Sequence, residues 1–179
     1  DRFINVLRVK VIAFRDYFVD GDNALRESPF YTLPQDADAF TAFIKNINAD
    51  GGGDEPESGL EAVAHAMKSI WSKSGESDKR RQIIVVWTDA SAHALEKSGK
   101  PANYPKDMPK DFDQIADMWD GQDFMSHAAK RLILYAPDAY PWTDISTHWD
   151  NALQFPSRAG QGMAETEYAE ILDQIARSV

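Results

Sequence analysis

The chain has 179 residues, 43% apolar and 27% charged, which is enough to bury the core of a single domain. Its net charge of −10 argues against a nucleic-acid partner. No apolar run of about 18 residues is present, which excludes a membrane-spanning helix, and the lack of cysteine excludes disulfides, cysteine–zinc sites and thiol catalysis.

Asp1–Leu7 places Phe3, Ile4 and Leu7 like the last turns of an amphipathic helix. It runs directly into Arg8–Tyr17, a strand-like apolar stretch, without the turn residues such a junction normally needs. Two readings follow: strand throughout, or residues missing between Leu7 and Arg8. The second is preferred and implies sequence ahead of Asp1. Asp20-Gly21-Asp22-Asn23 is a turn signal, and Ser28–Leu33 with its Pro29 reads as an edge strand returning antiparallel. Asp36–Asn48 puts Phe40, Phe43, Ile44 and Ile47 on one helical face, and Glu57–Trp71 does the same with Leu60, Val63, Ala64, Met67 and Ile70. Ser72–Asp78 is a polar loop. Lys79-Arg80-Arg81, the only basic cluster, reads as a solvated loop end.

Gln82–Thr88 (QIIVVWT) has the β-branched core of a strand buried on both faces, and Arg131–Tyr135 is a second such strand. Ala152–Phe155 is a weaker one. Helices are predicted at Asp111–Trp119, at Asp123–Ala129 and at Glu165–Arg177. The last carries Tyr168, Ile171, Leu172 and Ile175 on one face. Trp87, Trp119, Trp142 and Trp149 read as core or helix-packing residues. Alternating strands and helices predict an α/β, doubly wound, mainly parallel sheet with an antiparallel edge hairpin and helices on both faces, residues 1–179 forming one domain. Ligands of such sheets bind beyond the carboxyl ends of the strands.

Two loops fall at that edge. In Ala49–Gly59 (ADGGGDEPESG) three glycines allow close backbone approach, and the acids repel a phosphate. Asp54 as N-cap, Glu57 as capping-box partner and Pro56 in the first turn would account for the rest. In Ile83–His93 (IIVVWTDASAH) a buried strand delivers Thr88 and Asp89 to its end. An acid there needs a hydrogen bond, a counter-charge or a metal. The structural alternative is Asp89 capping the following loop through nearby N–H groups. His93 lies four residues on and reads as a satisfied structural group. Asp16, in FRDY, reads as a turn cap or a partner of Arg15. Ser91 has no evident base, so no catalytic triad is predicted.

Together, GGGDEPE…GLEAV and IIVVWTDASAH, with FRDY upstream and RLILYAPDAYPW downstream, resemble a von Willebrand factor A-type domain of the bacterial and hemicentin-like branch. The resemblance spans nearly the whole chain. It implies a metal-ion-dependent adhesion site at the sheet edge, with Asp89 as the third-loop aspartate and Asp54 near the second-loop ligand. Glu57, Thr88, Ser91, His93 and Asp16 would stand around it. The Asp-x-Ser-x-Ser loop of such domains is absent from these residues. The first strand and its loop would therefore come from sequence before Asp1 or from another segment, because a missing central strand leaves its neighbours unpaired.

The expected function is a non-enzymatic, adaptor-like protein–protein interaction module. It would hold Mg²⁺, or Mn²⁺ or Ca²⁺, which all favour oxygen ligands, and a partner protein would supply a further carboxylate. The alternatives are a metal-dependent hydrolase using Asp89, His93 and Asp54, and a scaffold whose metal site has degenerated. The lack of cysteine favours a cytoplasmic location; a removed leader would place the protein outside the cell.

Overall fold

The computed structural model describes residues 4–47, 55–72, 79–156 and 173. The chain first forms a bulged antiparallel hairpin. Strand β1 (Leu7–Val9) pairs with β4 (Tyr31–Leu33), and β2 (Ile12–Phe14) pairs with β3 (Leu25–Glu27). Between the two ladders, Lys10 and Val11 face Ser28, Pro29 and Phe30, one residue more on the returning side. Pro29 has no N–H to give, and Ser28 substitutes: its N–H donates to Val11 O and its Oγ accepts from Val11 N–H, both at 2.9 Å. The single strand expected at 8–17 is thus two strands, and its end at Tyr17 is corrected. Asp16 leaves the ladder to cap α1 (Tyr17–Asp20), its carboxylate accepting the Phe18 N–H at 2.9 Å. Residues 4–6 are not helical and Leu7 already pairs with Leu33, which overturns the helix-tail reading there.

Helix α2 (Ala37–Lys45) lays Phe40 and Phe43 on Tyr31 of β4, but it buries no residue fully, and Ile44 stays exposed. Helix α3 (Gly59–Met67) is the central one, with Leu60, Val63, Ala64 and Met67 buried as the periodicity predicts. It is shorter than expected. It starts after Ser58, so Glu57 precedes the helix and the capping-box reading with Asp54 is corrected. It stops before Ile70, which is 86% exposed rather than on the apolar face.

Strands β5 (Gln82–Trp87), β6 (Lys130–Ala136) and β7 (Ala152–Pro156) form a parallel three-stranded sheet in that order. Ile84, Val86, Leu132 and Leu134 face the main core. They share it with α3 and with Ile115 and Trp119 of α4 (Phe112–Asp120). On the other face, Ile83, Val85, Ile133, Tyr135 and Phe155 form a smaller cluster. Helix α5 (Trp142–His148), which the periodicity did not reveal, inserts Trp142 and Ile145 into the core between β6 and β7. The helix expected at 123–129 is a series of turns. Of the tryptophans expected inside, Trp119, Trp142 and Trp149 are buried. Trp87 is 41% exposed at the end of β5, with its ring beside Tyr135. The helix expected at 165–177 lies outside the described residues except Asp173, which is helical and exposed.

The fold is therefore mixed α/β, with a parallel sheet, an antiparallel hairpin and helices. Among the described residues, only β6 is paired on both edges. No described helix is long and apolar enough to cross a membrane.

Candidate functional site

The two loops predicted at the sheet edge do meet. The Glu57 N–H donates to Ser91 O and the His93 N–H to Glu57 O, each at 2.9 Å, forming a parallel bridge between Glu57 and Ala92. The hairpin joins them: the Ser58 N–H donates to Arg15 O at 3.1 Å, and Ser58 Oγ accepts from the Tyr17 N–H at 3.0 Å. That second bond occupies the hydroxyl, so Ser58 does not cap its own helix.

From beneath, Trp142 fixes this junction. Its indole N–H donates to Ala90 O at 2.9 Å, and its ring lies against the start of α3. A Cβ on Gly59 would stand 2.7 Å from the Trp142 ring, so only glycine allows that approach. Thr88 tightens the turn after β5, its Oγ1 accepting from the Ala90 N–H at 3.1 Å.

Asp16 and His93, separated by 77 residues, are brought together. Both are buried, and Asp16 Oδ2 lies 3.0 Å from His93 Nε2. Lys97 Nζ sits 3.1 Å from each nitrogen of that ring and 4.0 Å from the centre of the Phe18 ring. A proton on Nε2 and a lone pair on Nδ1 satisfy both neighbours. Asp16 therefore acts both as the cap of α1 and as the partner of His93. Arg15 faces Asp20 instead, at 4.0 Å.

The remaining acids are under-compensated. Asp89 is exposed at the end of β5, with no hydrogen bond or ion pair among the described residues; the capping role weighed for it belongs to Thr88. Glu57 has a buried Oε2 without a hydrogen-bond partner among the described residues. Burial raises its proton affinity first, Asp16, Asp20 and Asp89 add to the effect, and Arg15 opposes it. Ser91 Oγ reaches Glu55 at 3.5 Å. Asp54 lies outside the described residues. Among those described, no three acidic or histidine side chains converge to hold a metal ion.

Sequence reasoning missed a second layer. Glu61 is 1% exposed, accepts a 2.8 Å hydrogen bond from the Tyr104 hydroxyl, and leaves Oε2 without a hydrogen-bond partner among the described residues. Burial raises its pKa, against the pull of Tyr104. Tyr17 packs edge-on to Tyr104, and burial beside Glu61 and Glu27 moves its hydroxyl up to about 12. The available signal was the four-residue spacing of Glu61 and His65, which stacks two titratable groups on one face of α3. Among the described residues, Glu57 Oε2, Glu61 Oε2 and His65 Nε2 are buried without a hydrogen-bond partner.

No family model, curated protein or solved structure matches the chain.

Proposed function

We propose that this chain is a von Willebrand factor A-type, doubly wound domain that binds a partner protein through a divalent cation at the rim formed by Glu57 and Asp89. The observation that carries the reading is charge left uncompensated where three segments are fastened together. Among the described residues Asp89 has no hydrogen bond or ion pair, and Glu57 holds a buried oxygen without a hydrogen-bond partner, where the charges of Asp16, Asp20 and Asp89 are opposed by Arg15. Hard cations relieve such crowding, and carboxylates with hydroxyls and water meet their demand. Asp89 and Glu57 would hold the ion, with Asp54 and Ser91 as further oxygen donors. The bound ion would supply an open position for a partner's carboxylate. The doubly wound reading requires a further strand beside β5, whose outer edge is unpaired among the described residues.

Titration calorimetry and thermal melts in Mg²⁺ and Mn²⁺ test the proposal. A cation at 100 times its Kd adds about 2.7 kcal/mol of stability, so Tm rises with Mg²⁺, and Asp89→Ala abolishes the rise. Unchanged melts and no heat of binding would sink the cation reading. They would leave the alternative, a rim that recognises partners by shape. The hydrolase reading is weaker, because both ring nitrogens of His93 are already engaged.

A further inference from the structure

Away from the rim, residues 107–109, helix α4 and the turns after it enclose an open groove of about 350 Å³. Its apolar lining is Met108, Pro109, Met118 and Phe124. Phe124 is 40% exposed and touches no other aromatic ring among the described residues. Asp107, Asp117 and Asp123 supply the charge, and among the described residues no lysine or arginine lines the groove. Asp107 is compensated by Lys68 at 3.3 Å. Asp117 and Asp123 have no ion pair among the described residues. The groove thus joins an adaptable, methionine-rich floor to unneutralised negative charge.

We propose that this groove docks a basic amphipathic helix of a partner protein, inserting one large apolar side chain between Met118 and Phe124 while lysines or arginines meet Asp117 and Asp123. Three features select that occupant. The volume is at the small end of ligand pockets and suits one or two side chains. Methionine side chains re-pack around varied apolar anchors. The charge of the lining selects cations beside the anchor, as in helix-in-groove recognition. The chain's overall charge of −10 steers the same partner toward it.

The probe is a fluorescent synthetic helix of leucine and lysine, with leucines at positions one, four, five and eight of its repeat. Its controls are a scrambled peptide of the same composition and a version with glutamate for lysine. The ordered peptide binds more tightly than the scrambled one, and the acidic one does not bind. Asp117→Asn with Asp123→Asn weakens binding about tenfold, and Phe124→Ala does likewise. The charge-matched pair Asp22→Asn with Asp38→Asn, outside the groove, leaves binding within about twofold. Circular dichroism melts confirm that each variant is folded. Equal loss from both aspartate pairs would mean attraction by net charge alone and overturn the proposal. So would equal affinity for ordered and scrambled peptides, or no binding. A second copy of the chain as occupant would instead appear as concentration-dependent dimerisation abolished by Phe124→Ala, and would equally overturn it.

Discussion

Single side chains carry the sharpest consequences. Glu61 is buried with half its carboxylate unpartnered, and burial raises its pKa above the ordinary 4.5. The folded state therefore holds this proton more tightly than the unfolded chain. Its contribution is full at pH below about 4.5 and is lost as pH rises through the folded value. Glu57 acts with the same sign. Glu61→Gln keeps the shape and cannot ionise, so it gains on the order of 1 kcal/mol at pH 7 and flattens the acid-to-neutral slope. Urea titrations between pH 4 and 8 check this; a less stable variant at pH 7 would show that the charged carboxylate is partnered. Gly59→Ala forces a Cβ into the Trp142 ring and costs about 1–3 kcal/mol. The double variant with Trp142→Phe loses less than the sum of the two, because the smaller ring makes room. Little of this was legible in the sequence. The residues of the rim could be picked out because loops after buried strands collect polar groups. The Asp16–His93 contact joins positions 77 residues apart, and no local pattern encodes it.

Among the elements, α4 shows how local chemistry sets a boundary. Asp111 Oδ1 accepts the Gln114 N–H at 2.8 Å, and the Gln114 side chain returns to the Lys110 N–H at 2.9 Å. This reciprocal arrangement resembles a capping box. At the other end, buried Lys130 donates to Trp119 O, and to Gly121 O at 3.2 Å, satisfying carbonyls the helix leaves open. Asp111→Ala costs about 1 kcal/mol, and Lys130→Met costs about 1–3 kcal/mol by stranding those carbonyls. Denaturant midpoints measure both; a neutral Lys130→Met would mean that water takes over the carbonyls. Strands β5 and β6 and the apolar face of α3 were readable because β-branched runs and three–four spacing are strong local signals. Helix α5 was not, since WTDISTH has only two buried residues to mark a face. Strand β3 was hidden too: Leu25–Glu27 is polar at two of its three positions and is held by pairing with β2.

At the scale of the whole molecule, charge is unbalanced, with 29 acidic against 19 basic residues. Self-repulsion opposes compaction and is screened by salt, since the Debye length falls from about 10 Å at 0.1 M to about 3 Å at 1 M. Tm therefore rises with sodium chloride. Mg²⁺ at matched ionic strength raises it further if the rim takes up the ion, and scanning calorimetry separates the two contributions. A Tm that falls with salt would mean that the net effect of the ion pairs is attraction. The arrangement of the sheet was only partly legible: alternation gave the parallel strands and the hairpin, but sequence cannot say which edges stay open. Trp142 adds an optical consequence. Its indole N–H is bonded to the loop that ends β5, and its ring touches the start of α3. Any ligand that shifts either loop must change the surroundings of this one chromophore. Five tryptophans give five indole N–H resonances, and Trp142→Phe identifies the one to follow. The protein thus contains its own spectroscopic gauge of rim occupancy, readable without a label.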